Sequence, residues 1–291
     1  MLSPEIFKRV RYIRIRTRRL VHTMFAGHYH SAFKGRGIEF AEVREYVPGD
    51  DVRSIDWHVT ARRGQLYMKQ YVEERELTVM LLVDLSASGH FGSVPQRKID
   101  LATELCAILA LSAIMNHDRV GLILFTDQIE KFIPPQKGRR HVLRVIAEVL
   151  SFQPQRRGTN IGLALEYLHR INRRRTTSFL LSDFLTSDYT TALRLARCRH
   201  DIIPISLIDQ RELRLPRLGL VTLQDLETGA SILVDTSSAT VQRQYEQRWQ
   251  AALARRRRVF RSLGIDAIEV RADAPYIGPL MRFFRARERR R

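Results

Sequence analysis

The chain is poor in cysteine. Only Cys106 and Cys198 occur in 291 residues, with no Cys-x-x-Cys pair and no Cys/His spacing of a zinc site. Two scattered thiols give no disulfide framework and suit a reducing compartment. Long hydrophobic runs are also missing. No stretch approaches the roughly 18 apolar residues of a membrane span, and the basic N-terminus lacks the apolar run of a signal peptide. The expected location is therefore cytoplasmic. Catalytic signatures are absent as well: no His-Glu-x-x-His, no Gly-x-Ser-x-Gly and no Gly-x-x-x-x-Gly-Lys-[Ser/Thr]. His58, His90, His117, His141, His169 and His200 are scattered. The chain thus reads as a non-enzyme, and ATP hydrolysis by it is disfavoured. Acidic residues are in deficit, 31 against 49 Lys and Arg, a formal charge of +18. That balance favours acidic partners: nucleic acid, anionic lipid or an acidic protein surface.

What remains is enough for a large core, since 44% of the residues are hydrophobic. Residues 1–76 form a first region. Its first 30 residues are a basic amphipathic segment, with Ile6, Val10, Ile13, Leu20, Val21, Met24 and Phe25 near helical spacing among arginines. A docked surface helix and membrane-surface contact are both open readings. The Gly35-Arg36-Gly37 stretch lacks the strand–turn–helix context of a phosphate loop. Beyond it, Gly49-Asp50-Asp51 and Asp56-Trp57 are either a second functional surface or loops fixed by Arg–Asp pairing.

From residue 77 the pattern turns regular. Residues 77–83 (LTVMLLV) and 120–125 (VGLILF) are unbroken apolar runs, as expected of strands buried on both faces. Residues 129–133 follow closely enough to pair antiparallel with the second. Further strands are expected at 177–181, 202–207 and 265–270, and helices at 98–117, 138–151, 162–173, 189–198 and 241–263, with Gly264 capping the last. An inserted hairpin is expected over about 218–236, turning at Glu227-Thr228-Gly229. The tail 282–291 holds six arginines and is expected to fray, with Phe283 and Phe284 available to anchor its start. Alternating strands and helices imply an α/β, doubly wound, mostly parallel sheet of order 3-2-1-4-5-6 with one antiparallel edge strand.

In that order the first and fourth strands are neighbours, and ligands bind beyond their carboxyl ends. Asp84 follows the first strand and Asp183 the fourth, so the two carboxylates meet. Asp84-Leu85-Ser86-Ala87-Ser88 and Gly158-Thr159-Asn160 add three hydroxyls. Each piece alone suits a turn or a helix cap. Together, Asp84, Ser86, Ser88, Thr159 and Asp183 are hard oxygen donors suited to magnesium or manganese, and unsuited to zinc, copper or iron.

At these residues the chain resembles the von Willebrand factor type A fold, whose metal-ion-dependent adhesion site runs Asp-x-Ser-x-Ser, then Thr, then Asp. Many such domains carry Met after the second serine, where this chain has Gly89. Gly35 to Phe40, Arg44, Tyr46, Gly49-Asp50-Asp51, Arg53, Ile55-Asp56-Trp57 and Ala61-Arg62, with the stretch from Gly219 to Phe284, resemble a bacterial family known as domain of unknown function 58. The resemblance implies a cytosolic protein whose relatives are often encoded beside MoxR-type AAA+ ATPases. Many relatives also carry N-terminal membrane helices, which this sequence lacks. The expected function is a metal-dependent adaptor or co-chaperone that engages such an ATPase or its client through an acidic residue. The alternative is a nucleic-acid or anionic-surface binder working through the basic surface.

Overall fold

The computed structural model describes residues 12, 26–33, 39–72, 76–93, 96–186 and 189–290. The basic amphipathic segment therefore lies mostly outside the described residues, and Gly35 to Gly37 lie wholly outside them. The chain divides into two compact units, residues 33–77 and the remainder.

The smaller unit pairs strands β1 (Glu39–Glu45) and β2 (Tyr67–Val72) antiparallel. Between them stands a short helix, α2 (Trp57–Arg63). Asp56 starts that helix by accepting hydrogen bonds from the His58 and Val59 amides. Gly64, at φ 71°, ends it in the left-handed region that disfavours other residues. Arg44 grips Asp50 through two hydrogen bonds of 2.8 Å, and Asp51 accepts from the Arg53 amide. Arg–Asp pairing and capping account for the Gly-Asp-Asp loop.

The larger unit is built on a six-stranded sheet. Its strands are β3 (Thr78–Asp84), β4 (Arg119–Phe125), β5 (Ile129–Gln136), β6 (Thr177–Ser182), β7 (Asp201–Ile208) and β10 (Ile268–Arg271). The spatial order is β10-β7-β6-β3-β4-β5, with only β5 antiparallel to its neighbour. Counted within this sheet, that is the expected 3-2-1-4-5-6. Pro204 is tolerated in β7 because pairing with β10 begins one residue later, at Ile205.

Successive side chains of a strand face opposite sides. Met80 and Leu82 of β3 join Ile123, Phe125 and Leu180 in a core with helices α5 (Ile161–Ile171), α6 (Thr190–Arg199) and α8 (Ala239–Ser262). Val79, Leu81 and Val83 face the other way and are equally buried. Helix α3 (Lys98–Met115) packs against β3, β4 and β7, and against α4 (Arg139–Ser151).

Gly264, at φ 58°, follows the last turn of α8 as expected. Over the described residues 282–290, the expected fraying is not found. Helix α9 (Ile277–Arg289) runs through almost all of them. Leu280, Phe283 and Phe284 form a buried stripe at helical spacing, and Tyr29 of α1 (Ala26–Phe33) packs edge-on to Phe284. Arg287 pairs with Asp201 and Arg290 with Asp266. The arginine count hid an apolar face. The expected hairpin is present as β8 (Leu220–Gln224) and β9 (Ser231–Asp235). No described helix is long and apolar enough to cross a membrane.

Candidate metal centre

The parallel register pairs Val83 with Leu181, which sets Asp84 beside Ser182 at the carboxyl ends of β3 and β6. Ser182 Oγ donates to Asp84 Oδ2 at 2.6 Å, and the Ser86 amide donates to Asp84 Oδ1 at 2.9 Å. Ser86 Oγ and Ser88 Oγ lie 3.0 Å apart, within the short turn Ala87–His90 and its leading residue. Asp84, Ser86, Ser88 and Asp183 line one small cavity of about 10 Å³, with Gly89, Lys98, Ile99, Ser182 and Leu207. That volume admits about one water-sized particle. Gly89 lies on this wall, and a Cβ there would meet Asp84 O at an ordinary 3.9 Å, so the departure from Met costs the loop no donor.

Thr159 stands apart from that lining. Its loop is nonetheless bound to the Asp-x-Ser-x-Ser loop, because the Ala87 amide donates to Arg157 O at 2.9 Å. Glu130 fixes the same loop by accepting from the Gln155 and Arg156 amides and from Thr126 Oγ1. Burial pushes Glu130 upward, but these hydrogen bonds outweigh it and hold its pKa below the ordinary value. Asn160, not Thr159, caps α5 by accepting from the Leu163 amide at 2.9 Å. The Thr159 hydroxyl is thus spared from capping. It donates instead to Glu227 Oε1, at the tip of the β8–β9 hairpin, at 2.7 Å.

The electrostatics are dominated by two buried carboxylates facing each other. Burial first, and the Asp183 charge second, push Asp84 up to about 7, against the opposing pull of its Ser182 and Ser86 donors. Lys98 is 1% exposed and answers Asp183, with Nζ 2.7 Å from Oδ2. The same ammonium lies 2.6 Å from Glu212 Oε1, on the short helix α7 (Gln210–Leu213). Burial pulls the Lys98 pKa down, but the two carboxylates outweigh it and raise it. Burial likewise raises Glu212, more than Lys98 lowers it. Arg256 Nη1 donates to Asp183 O at 2.8 Å. The next residue, Phe184, holds a positive φ of 57°, an uncommon conformation for a bulky side chain. Its ring is buried against Tyr189 and Phe260, and this packing holds the strained turn that presents Asp183.

This set fits a hard divalent cation. Its donors are carboxylate and hydroxyl oxygens. Among the described residues there is no group of three or more His, Cys, Asp or Glu that could hold a metal ion, so the fit rests on the hydroxyls as much as on the two carboxylates. Lys98 serves Asp183 and Glu212. Asp84 meets hydroxyl and amide donors but no cation among the described residues. The cavity therefore holds one buried carboxyl group, Asp84, that no cation faces among the described residues and whose ionised form burial disfavours.

The sequence matches the model of the family described as "Protein of unknown function DUF58" over residues 42–255. The chain belongs to the DUF58 family. An uncharacterized protein of Mycobacterium tuberculosis is 30% identical over 291 residues, which cover 99% of this chain and 91% of that protein. The uncharacterized protein YeaD of Bacillus subtilis is 24% identical over 184 residues, 63% of this chain and 43% of YeaD. Among solved structures, the conserved hypothetical protein BatB of Bacteroides thetaiotaomicron is 15% identical, with a TM-score of 0.49 over 73% of this chain and 99% of that one. The VWA domain of SpRpn10 is 11% identical, with a TM-score of 0.38 over 71% and 94%. The von Willebrand factor type A-like fold of this DUF58 chain is carried by its own strand order and by the loops at the ends of β3 and β6.

Of the five oxygen donors named from the sequence, the structure gathers Asp84, Ser86, Ser88 and Asp183 on one cavity and leaves Thr159 outside its lining, and sequence reasoning missed the groups around them. Lys98 read as the first residue of an apolar helix. Its signal was a lone amine ahead of Ile99, Leu101 and Ala102, a costly place for a charge without partners. Ser182 read only as the neighbour of Asp183 in a strand-end motif, Arg256 only as part of a solvated basic helix end, Glu212 carried no local signal, and Glu227 read only as a turn residue.

Proposed function

We propose that this DUF58 protein is a metal-dependent protein-binding adaptor. The carrying observation is the convergence of Asp84, Ser86, Ser88 and Asp183 on one cavity, with the Thr159 loop tied alongside. Asp84, Ser86, Ser88, Thr159 and Asp183 would hold magnesium or manganese. Bound there, the ion supplies an electrophile for a carboxylate from another protein. The chain's own residues do the rest. Three hydroxyls contribute oxygen without adding negative charge. Ser182 and the Ser86 amide orient Asp84. Lys98, on the cavity wall, holds the Asp183 carboxylate, and Arg256 holds the Asp183 backbone oxygen.

The partner class comes from the family resemblance: a MoxR-type AAA+ ATPase or its client, presenting an acidic side chain during protein maturation or complex assembly. The basic surface is a weaker foundation for nucleic-acid binding. Several arginines near the C-terminus are committed internally, Arg257 to Glu269, Arg271 to Asp273, Arg287 to Asp201 and Arg290 to Asp266. The test is capture of the ATPase by the wild-type chain and by Thr159→Ala, with magnesium or with chelator. Capture by the wild type in magnesium alone, weakened in Thr159→Ala, is the expected result. Equal capture in all four conditions would refute the adaptor mechanism. Capture of nucleic acid with a steep salt dependence and no response to chelator would favour the alternative.

A further inference from the structure

The β8–β9 hairpin is a two-stranded sheet of its own. Isolated two-stranded ribbons are marginally stable in water. This one also leaves Leu218, Leu220, Ile232 and Leu233 exposed. Its two ends are nevertheless well organised. At the base, the Thr236 amide donates to Gly219 O at 2.9 Å, and the Leu218 amide donates to Thr236 Oγ1 at 2.9 Å. At the tip, Asp225 Oδ1 accepts from the Glu227 and Thr228 amides, and Gly229 takes a φ of 76° that suits glycine. That turn brings Glu227 to Thr159, whose loop is tied alongside the cavity by the Ala87–Arg157 hydrogen bond, and Glu227 Oε1 accepts from Thr159 Oγ1 at 2.7 Å.

The chemistry of this contact is that of the proposed partner. Thr159 is one of the five oxygen donors, and a carboxylate already sits on its hydroxyl. We propose that Glu227 is an internal carboxylate ligand of the metal centre, and that the β8–β9 hairpin is a strap which an incoming acidic side chain must displace. This rests on the metal-dependent reading above and names its regulation. A tethered carboxylate acts at an effective concentration of about millimolar or higher, so it outcompetes a free carboxylate that brings no other contacts. A true partner shifts the balance only through contacts it makes with the open form and not with the closed one. The exposed leucines and isoleucine of the ribbon offer such contacts. The site then discriminates against stray acidic groups while remaining open to a protein that also covers the hairpin.

The test uses the full chain as wild type, Glu227→Gln and Asp84→Ala, with Mn²⁺ as the metal and acetate as the carboxylate. Mn²⁺ binding is read by electron paramagnetic resonance, and acetate binding by its effect on the Mn²⁺ signal. Amide exchange of residues 220–235 reports the hairpin. The expected result is Mn²⁺ binding in wild type and Glu227→Gln but not in Asp84→Ala. Acetate should bind Mn²⁺-loaded Glu227→Gln about tenfold more tightly than wild type. In the Mn²⁺-loaded wild type, acetate raised well above the effective concentration of the tether should displace Glu227 and accelerate exchange across the hairpin. Mn²⁺ binding that is lost in Asp84→Ala, with equal acetate affinity in wild type and Glu227→Gln, would overturn the strap and leave the metal centre standing. Mn²⁺ binding that is absent, or unchanged by Asp84→Ala, would overturn both. Should Glu227→Gln not fold, the wild-type exchange experiment decides alone: no acceleration by acetate contradicts the strap.

Discussion

The three aspartates of the smaller unit answer neighbours in sequence, whereas the two aspartates of the metal centre are brought together by the sheet. Asp50 is gripped by Arg44, Asp51 accepts from the Arg53 amide, and Asp56 caps α2. Each is satisfied within a few residues. Asp84 and Asp183 come from different strands, are buried, and share a cavity in which Lys98 compensates only one of them. The same side chain is a local fastener in one unit and a source of stored charge in the other. Local pairing fixes loops. Long-range convergence of two buried carboxyl groups is what the proposed metal site rests on.

The largest expected effect probes the buried side of that comparison. Lys98→Met leaves Asp183 and Glu212 buried without their cation and should cost about 3–5 kcal/mol in urea unfolding. Arg44→Met, which breaks an exposed pair, should cost much less. Similar losses in both variants would mean that the two settings do not differ as described.

A second variant separates the two kinds of aspartate by the sign of their pH dependence. The Asp84 carboxyl is raised to about 7, chiefly by burial. Its contribution to stability is present below the ordinary carboxylate range and is lost as pH rises toward 7. Asp50 is held low, chiefly by its hydrogen bonds from Arg44, so its contribution is present at neutral pH and is lost on acidification. In chelator at pH 7, Asp84→Asn should therefore be more stable than wild type, by on the order of 2 kcal/mol, with the difference vanishing near pH 4. A destabilised Asp84→Asn at pH 7 would show that the carboxylate is not held at a cost.

The smallest effect is at a cap. Asp56→Ala should lose about 1 kcal/mol and leave any magnesium-induced shift in melting unchanged. A changed magnesium response would point to a role for the smaller unit in metal binding.

These contrasts also explain what the sequence made legible. The strand order and the meeting of Asp84 with Asp183 followed from apolar runs and from the rule that ligands gather at the switch point. Motifs at strand ends are predictable because topology alone positions them. Lys98, Glu212 and Arg256 reach the centre from helices, and their side chains are positioned by packing that no local pattern records. Glu227 depends on where an inserted ribbon folds back. The α9 tail was misjudged for a related reason: six arginines masked the helical spacing of Leu280, Phe283 and Phe284, whose burial holds the helix in place. Thr159 was legible as a donor, but the transfer of the capping role to Asn160, which frees its hydroxyl, appeared only in the structure.

The central claim is that the cavity binds a divalent cation through Asp84. The most direct measurement is thermal unfolding of wild type and Asp84→Ala, each in magnesium and in chelator. Magnesium at a hundredfold excess over its dissociation constant should stabilise the wild type by about 2.7 kcal/mol and leave Asp84→Ala unmoved. An equal magnesium-induced shift in both proteins would contradict the account.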